Sequence, residues 1–480
     1  MRRDRTLGCL LAAGALVLAA CSGGEGGGGS ERGATTAAST SSAASRPATG
    51  VEVAWATTMT GPTREDEIDG VAAADDGSVW VTGKFERSTT LGGEELTSAG
   101  AADIPLARFD RDGAPAFVRS FGGAGEDNLF DIDAGPEGAV GTGWFEGTVA
   151  FDDVQLTSAG SADCVVVSFD DDGVVRWATS FGGPGPDGCN EVVVSDDGTV
   201  TTSLDTAGGW SSPAGDLGTD AGREVVLVQL DADGELRWAG LVSGPGAQRG
   251  KSLAVADDGS VALGGDTTGD VAAGDLRAAR PGRRTDAWVS IWSADGEPEG
   301  LAAWGGSGDD LAKGLAFGGD GVWAVGQFEG AVEVGDDRVD AGEAADLAVV
   351  RVALDGTPSL VGTVSAKLPL AGAEVTAAAD GGVLFGTPNQ PGTALVTVDG
   401  VRRPLEGDGA AALVWWSPDG SVRGWTLPGK ATLGADEIAR VDDRVYLDIV
   451  IRGDGNVAAG VPLTADAKDA SVWAVDLVAA

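Results

Sequence analysis

Residues 192–205 read VVVSDDGTVTTSLD, and residues 164–180 read CVVVSFDDDGVVRWATS. In both stretches an apolar run ends in an Asp-Gly dipeptide, and a second β-prone run returns from it. Asp-Gly between two such runs is a strong short-range signal for a β-hairpin. Two hairpins in succession predict a four-stranded antiparallel unit.

The same pattern recurs through the body of the chain at a period of about 61 residues. A unit this thin cannot bury both faces alone and must stack on its neighbours. First strands rich in small residues suit strands that converge on a crowded axis. The sequence therefore predicts an all-β fold, a seven-bladed β-propeller of four-stranded antiparallel blades spanning residues 51–480. The seven repeat starts are Trp55, Phe117, Trp177, Trp238, Gly300, Val361 and Trp425.

The two ends of the body look complementary. Residues 51–58 (VEVAWATT) read as an isolated fourth strand, and the chain stops at SVWAVDLVAA, which reads as a third strand without its successor. Pairing the two would leave no unpaired terminal edge. We therefore predict that residues 51–58 supply the outer strand of the last blade and close the ring.

The first 50 residues have the pattern of an export signal followed by a flexible tether. Residues 1–20 have basic residues, then an apolar stretch, then small residues, as in a secretory signal. The ending Leu18-Ala19-Ala20-Cys21 resembles the lipobox of bacterial lipoproteins, which implies lipidation of Cys21. Residues 21–50 are rich in Gly, Ser, Thr and Ala, which predicts a disordered tether. The expected location is the outer face of the cytoplasmic membrane or, in a two-membrane host, the outer membrane, with the lipid as the only membrane contact.

Composition narrows the function. The 480 residues carry 74 acidic and 32 basic side chains, a formal charge of −42, which disfavours a nucleic-acid partner. No histidine is present, so Ser-His-Asp and Cys-His catalytic systems and His-ligated metals are excluded. Only Cys164 and Cys189 lie in the body, and we weigh a disulfide between them against two separate buried thiols. A monomer is expected.

Three segments resemble the bacterial SBBP-type β-propeller repeats. They are VRSFGGAGED (118–127), GTGWFEGTVAFDDVQLTSAG (141–160) and ADCVVVSFDDDGVVRW (162–177). Repeats one, two, three and five follow this pattern, and repeats four, six and seven depart from it after the second strand. The resemblance implies a propeller on secreted or surface proteins and adds little about activity.

A GGxGxD motif occurs at residues 122–127, 182–187 and 305–310 and resembles the calcium-binding repeat of RTX proteins. Its acids fall before first strands, so they would crown one mouth of the channel and could hold a cation such as Ca²⁺. The alternative is that each acid caps its own turn by accepting backbone N–H bonds. No other cofactor is expected. The acids at this rim are Asp66, Asp127, Asp187 and Asp310.

Arginines gather where repeats four and six depart from the pattern. Residues 276–284 read LRAARPGRR in an otherwise acidic protein, and two arginines occupy the equivalent place in repeat six. Arginine suits bidentate recognition of carboxylate, sulfate or phosphate groups, so an anion or partner site is one hypothesis and a solvated loop is the other. The candidate residues are Arg277, Arg280, Arg283, Arg284, Arg402 and Arg403.

These observations favour a non-catalytic binding or scaffolding module outside the cytoplasmic membrane that recognises a protein or glycan on one rim of the propeller. One alternative is a carboxylate-dependent polysaccharide hydrolase or lyase, because paired acids can cleave glycosides without histidine. Another is a structural spacer in envelope assembly. An enzyme should bring non-repeated acids together in a deep axial pocket, whereas a scaffold should present a rim or an apolar patch.

Overall fold

A computed structural model of the chain describes most of its body, in separate ranges. Within them the chain forms β-strands joined by turns, in agreement with the all-β prediction. None of the described segments forms a long apolar helix of the kind that crosses a lipid bilayer. The described residues are 50–62, 66–207, 210–212, 215–217, 222–341, 345–365, 375–378, 380–388, 395–398, 401–404, 411–427, 432–452 and 469–478.

After β1 (Gly50–Thr60), the chain forms a four-stranded antiparallel meander that recurs along it. The first such unit contains β2 (Glu67–Ala73), β3 (Val79–Leu91), β4 (Glu94–Phe109) and β5 (Pro115–Gly123). The turn between β2 and β3 needs a left-handed residue, Gly77 at φ +81°, whose N–H donates to the carbonyl of Ala74 at 2.9 Å. Glycine adopts this conformation without Cβ strain, which is why an Asp-Gly pair ends the strand.

The later units repeat this strand order. The second contains β6 (Asp127–Gly135), β7 (Gly138–Phe151), β8 (Val154–Phe169) and β9 (Val175–Phe181). The third contains β10 (Gly188–Val194), β11 (Val200–Ala207), β14 (Arg223–Leu230) and β15 (Leu236–Ser243), with β12 (Trp210–Ser212) and β13 (Gly215–Leu217) as a separate hairpin. The fourth contains β16 (Gln248–Val255), β17 (Val261–Thr267), β20 (Asp286–Trp292) and β21 (Pro298–Gly306).

The remaining units keep the same order. The fifth contains β22 (Gly314–Gly318), β23 (Gly321–Phe328), β26 (Asp346–Ala353) and β27 (Pro358–Ser365). The sixth contains β28 (Val375–Ala377), β29 (Val383–Pro388), β32 (Ala411–Trp416) and β33 (Val422–Leu427). The terminal unit contains β34 (Thr432–Val441), β35 (Arg444–Arg452) and β36 (Asp469–Val478), with β1 as its outer strand.

The terminal unit is built from both ends of the body. Strand β1 pairs antiparallel with β36 from Gly50 opposite Val478 to Met59 opposite Ala470, with nine registered pairs and one irregularity between Val53 and Trp55. The outer two strands of each earlier unit share six registered pairs. The outermost ladder of the terminal unit is therefore the longest, although no hairpin turn joins its two strands.

Short hairpins between second and third strands reach back to the preceding unit. In the first two units the hairpin is an extension of the strands themselves, so that β3 pairs with β1 and β7 pairs with β5. Elsewhere it is separate, as in β18 (Val271–Ala273) with β19 (Leu276–Ala278), β24 (Ala331–Val334) with β25 (Asp337–Asp340), and β30 (Leu395–Val398) with β31 (Val401–Pro404). These hairpins pair with β15, β21 and β27 and so cover strand edges that would otherwise be open.

The apolar core is divided into layers, each lying between consecutive units. Between the third and fourth units, Leu227 packs in one buried cluster with Leu263 and Trp288. Between the terminal and first units, Met59 and Tyr446 share a cluster with residues of β3 and β4. Corresponding layers join the other neighbours. Each unit therefore depends on both neighbours for its buried surface, as expected of stacked repeats.

A tryptophan of the outer strand locks onto the next unit. Trp238 donates its indole N–H to the carbonyl of Ala294 at 3.0 Å, and its ring lies where a side chain on Gly296 would be. Gly296 also has a φ of +83°, so glycine is required there twice over. Trp177 makes the same contact with the following unit, and Trp55 of β1 makes it with the first unit. The recurring aromatic starts are packing residues.

Candidate functional site

The first strands of the units line a central cavity of about 720 Å³. Each first strand contacts the first strand of the next unit, from β2 through β6, β10, β16, β22 and β28 to β34, and β34 contacts β2. The walls are mostly small apolar side chains such as Ala72, Ala254 and Ala316. We call the mouth where the first strands begin the start rim, and the mouth where they end the end rim.

Two non-repeated acids of β6 face the cavity and hold the adjacent strand. Asp131 accepts the N–H of Val192 at 2.7 Å, and Asp133 accepts the N–H of Val194 at 2.8 Å. These amides lie on the inner edge of β10, which has no neighbouring strand to pair with. Burial raises the pKa of Asp131 to about 7 and that of Asp133 to about 6. Their bonding fits a role in joining two units.

The end rim is acidic. The turns between first and second strands expose one or two acids in each unit, and some of these are tied down by cations of the third or fourth strand. Arg108, for example, lies 2.9 Å from Asp76, and Arg176 forms an ion pair with Glu137. The exposed acids are Asp75, Asp76, Glu137, Asp196, Asp197, Asp257, Asp258, Asp320, Asp380, Asp442 and Asp443.

The acids predicted for the start rim are buried in their own turns. Asp127, Asp187 and Asp310 each accept the N–H of the residue four positions earlier, at 2.7, 2.6 and 2.7 Å. Asp66, also buried, accepts the N–H of Glu86 at 3.1 Å. Among the described residues, no group of three or more Cys, Asp or Glu side chains is placed to hold a metal. A Ca²⁺ site at Asp66, Asp127, Asp187 and Asp310 stays a prediction.

A second set of buried acids accompanies these turns, and sequence reasoning missed it. Asp103 and Asp163 lie within β4 and β8, Asp286 begins β20, and each accepts the N–H of the residue four positions earlier. Each lies beside the turn acid of the following unit, because Asp187 donates its N–H to Ala162 and Asp310 donates to Thr285. Burial, with the neighbouring Asp286, raises the pKa of Asp310 to about 7. The recurring SAGxxD pattern could have revealed Asp103 and Asp163, whereas residues 281–286 read PGRRTD and give no such signal for Asp286.

Several arginines of the predicted loop form hydrogen bonds or ion pairs within the protein itself. Arg277 lies on β19 and donates to the carbonyls of Gly274 and Leu276, and Arg280 donates to Asp286 at 3.1 Å. Arg283 is exposed. Arg284, with 60% of its side chain exposed, lies 3.0 Å from Asp309 and 3.7 Å from Glu329 of the neighbouring unit.

In the sixth unit, Arg402 and Arg403 lie on the backbone of β31, opposite Thr397 and Val396. Arg277 has the same place in its hairpin, opposite Ala272. The equivalence predicted from sequence thus holds for the backbone, although these arginines lie on strands and not in a loop.

A further basic cluster surrounds Asp266 at the start rim. Arg249 lies 2.6 Å from Asp266, and Arg223 lies 3.8 Å from Asp205 at the same strand position of the previous unit. Burial raises the pKa of Asp266, while the charges of Arg249, Lys251 and Arg223 act in the opposite direction. Sequence inspection missed this cluster because its members come from different strands of the third and fourth units.

Cys164 and Cys189 form a disulfide with their Cα atoms 5.0 Å apart. The bond joins β8 of the second unit to β10 of the third. Tyr446, the only tyrosine of the chain, is buried and donates its hydroxyl to the carbonyl of Gly77. The predicted lipidation residue Cys21, the signal and nearly all of the tether lie outside the described residues.

No family model matches the sequence, and no curated protein is significantly similar to it. The SBBP resemblance therefore stays a prediction. Among solved structures, the chain is similar to the β-propeller domain of the trilobed protease from Pyrococcus furiosus, with 10% identity over 86% of this chain and 95% of that one and a TM-score of 0.43.

It is also similar to a catalytically inactive virginiamycin B lyase from Staphylococcus aureus, with 9% identity, coverage of 88% and 99%, and a TM-score of 0.41. A protein of unknown function from Dyadobacter fermentans gives 11% identity, coverage of 89% and 100%, and a TM-score of 0.41. All three TM-scores are below 0.5, so the description of the fold rests on the strand pairing of the chain itself.

Proposed function

We propose that the chain is a seven-bladed β-propeller closed by residues 51–58, and that it is a non-catalytic binding or scaffolding module displayed outside the cytoplasmic membrane on a lipid carried by Cys21. The ring is supported by the contact of β34 with β2 and by the apolar layer between the terminal and first units. The location is supported by the lipobox-like segment and by a disulfide, which persists in oxidising compartments.

The ligand of this module is a protein or glycan that carries anionic groups and binds at the start rim. The observation that carries this proposal is the gathering of Arg223, Arg249, Lys251, Arg283 and Arg284 in the third and fourth units of a protein with a formal charge of −42. A local basic surface on an acidic protein attracts anions, whereas the rest of the surface repels them. It therefore selects both the partner and the face on which it binds.

Hydrolysis of a polysaccharide ranks below binding for physical reasons. Asp131 and Asp133 are non-repeated acids that line the central cavity, which is the arrangement that a hydrolase would need. Asp131, however, accepts the N–H of Val192 at 2.7 Å, and Asp133 accepts the N–H of Val194 at 2.8 Å. Both acids are thus engaged in joining the second unit to the third.

Retention of the full chain, in detergent, on a sulfated matrix tests the proposal. At low ionic strength we expect retention that is lost as salt is added, because exposed charges are screened. The variant Arg283→Ala/Arg284→Ala should elute at lower salt. The control Arg338→Ala removes an arginine with the same 60% exposure, paired with Glu333 at 3.0 Å, and should elute like the parent.

Flow-through of the parent protein at low ionic strength would contradict binding at the rim and would favour the structural spacer. Equal losses of retention in Arg283→Ala/Arg284→Ala and in Arg338→Ala would show that the matrix senses net charge alone.

A further inference from the structure

Two lysines at the start rim, Lys251 and Lys313, form neither a hydrogen bond nor an ion pair with the residues that the structure describes. Lys251 is the extra residue of a β-bulge in β16, where the register shifts between Gly250 and Ser252. Lys313 immediately precedes β22 and is fixed by donation of its backbone N–H to Val325 at 3.0 Å. Both side chains are half-buried, and neither ammonium group forms a hydrogen bond or an ion pair with any residue that the structure describes. Bulges commonly re-aim side chains near functional sites.

The two lysines are neighbours across the boundary between the fourth and fifth units. Gly265 of β17 is paired in register with Gly250, next to Lys251. The carbonyl of the same Gly265 accepts the N–H of Ala312, next to Lys313, at 3.3 Å. Each lysine also lies two residues before a leucine, Leu253 or Leu315, that lines the central cavity. The two ammonium groups therefore start from adjacent positions at the same mouth.

The acids nearby do not neutralise this pair. Asp266 is bound by Arg249 at 2.6 Å, and Asp309 is bound by Arg284 at 3.0 Å. Lys251 is close enough to Asp205 and Asp266 for its charge to favour their ionised forms, but arginines already serve both of them. The positive charge of Lys251 and Lys313 is thus left for a ligand.

The lysines are not part of the repeat. The same position before the first strand's apolar segment is occupied by Asp69, Phe130 and Asn190 in the first three units. A residue needed for packing would recur, as the outer-strand tryptophans do. Two adjacent lysines in place of an acid, an aromatic and an amide point to recognition.

We propose that Lys251 and Lys313 together bind a tetrahedral oxyanion, a phosphate or sulfate ester group carried by a glycan. Ammonium groups act as compact point charges that suit phosphate, and two of them attract a phosphate ester with two charges more strongly than a carboxylate with one. The arginines here are engaged with Asp266 and Asp309, so the free donors are the two ammonium groups. This inference rests on the proposed function and names the chemistry of its ligand.

Calorimetric titration of the full chain in detergent tests the site, with chloride adjusted to constant ionic strength. The probes are inorganic phosphate, inorganic sulfate, glucose 6-phosphate and glucuronate. We expect glucose 6-phosphate to bind more tightly than inorganic phosphate and glucuronate to bind most weakly. In Lys251→Ala/Lys313→Ala the affinity for glucose 6-phosphate should fall by at least about tenfold. The control Lys84→Ala removes a lysine of the first unit that is paired with Glu67 at 3.6 Å and should bind as the parent does.

Equal affinity of the parent and the double variant for glucose 6-phosphate would overturn the inference, as would tighter binding of glucuronate. If inorganic phosphate binds as tightly as glucose 6-phosphate, the ligand is a free anion and not an ester group on a glycan. If the titrations fail while the sulfated matrix still retains the parent, only this inference falls. If neither binds, the proposed function falls with it.

Discussion

The terminal unit holds its outer two strands together in a different way from the earlier units. In the earlier units a hairpin turn connects the outer two strands, which then need only six registered pairs. In the terminal unit no turn connects β36 to β1, and the ladder extends to nine pairs. Arg444 of β35 forms a two-point ion pair with Asp476 of β36, at 2.6 and 2.8 Å, and it reaches the carbonyl of Arg111, which also accepts the indole N–H of Trp55 in β1.

The difference shows that a longer strand ladder and additional side-chain contacts take the place of a turn between β36 and β1. A hairpin turn keeps two strands close at little entropic cost, whereas two distant chain segments must be held by their own interactions. Trp55 nevertheless makes the same contact with the next unit as Trp177 and Trp238 do. Only the pairing inside the terminal unit is different.

Removal of residues 51–58 should have the largest effect. The deletion exposes the edge of β36 and part of two apolar layers, so we expect the melting temperature to fall by at least about 5 °C and the transition to broaden. Scanning calorimetry measures both. The control lacks residues 22–48 and should melt as the parent does. An unchanged melting temperature in the first variant would mean that the terminal unit is stable without β1.

Loss of the disulfide should have a smaller effect, at a junction that the chain already connects. Cys164 and Cys189 are 25 residues apart, and a cross-link over such a loop stabilises by about 3 kcal/mol. We expect Cys164→Ser/Cys189→Ser to lower the free energy of unfolding in urea by that amount. Added reductant should destabilise the parent to the same level and leave the variant unchanged. A parent that is insensitive to reductant would contradict this expectation.

Raising the pH should have the smallest effect on the free energy of unfolding. This effect should come from acids of the earlier units and not from the terminal unit. Burial raises the pKa of five acids to about 6 or 7, and all of them lie in the second, third and fifth units. In the unfolded chain an aspartate has a pKa near 3.9. The folded state therefore binds more protons between the two values, and stability falls as the pH rises. The acids are Asp127, Asp131, Asp133, Asp205 and Asp310.

We expect the free energy of unfolding in urea to be lower at pH 8 than at pH 5 by at least about 2 kcal/mol. The variant Asp131→Asn should show a shallower decline, because one of the titrating groups is gone. Asp476→Asn, in the terminal unit, is the matched control and should keep the slope of the parent. Stability that rises between pH 5 and pH 8 would contradict the assignment.

Much of the strand order was predictable because its causes are local. Asp-Gly turns fix hairpins within about a dozen residues, and the recurring tryptophans mark the outer strands. The short hairpins that reach the preceding unit were not predictable, because segments such as residues 271–278 gain their partner only once two units lie side by side. The rim cluster of Arg223, Arg249 and Lys251 was not predicted for the same reason, because its charges come from two strands of different units, β14 and β16, that meet only in the folded protein.

The unequal charge of the two rims has a consequence for how a ligand arrives. Exposed acids surround the end rim, whereas the lysines and their arginine neighbours form a basic cluster on one side of the start rim, which also exposes Glu126 and Glu146. A local cluster of positive charge steers the diffusional encounters of anions. We therefore expect an anionic ligand to be turned toward the lysines before it touches the surface, and its association rate to depend more steeply on salt than its dissociation rate does.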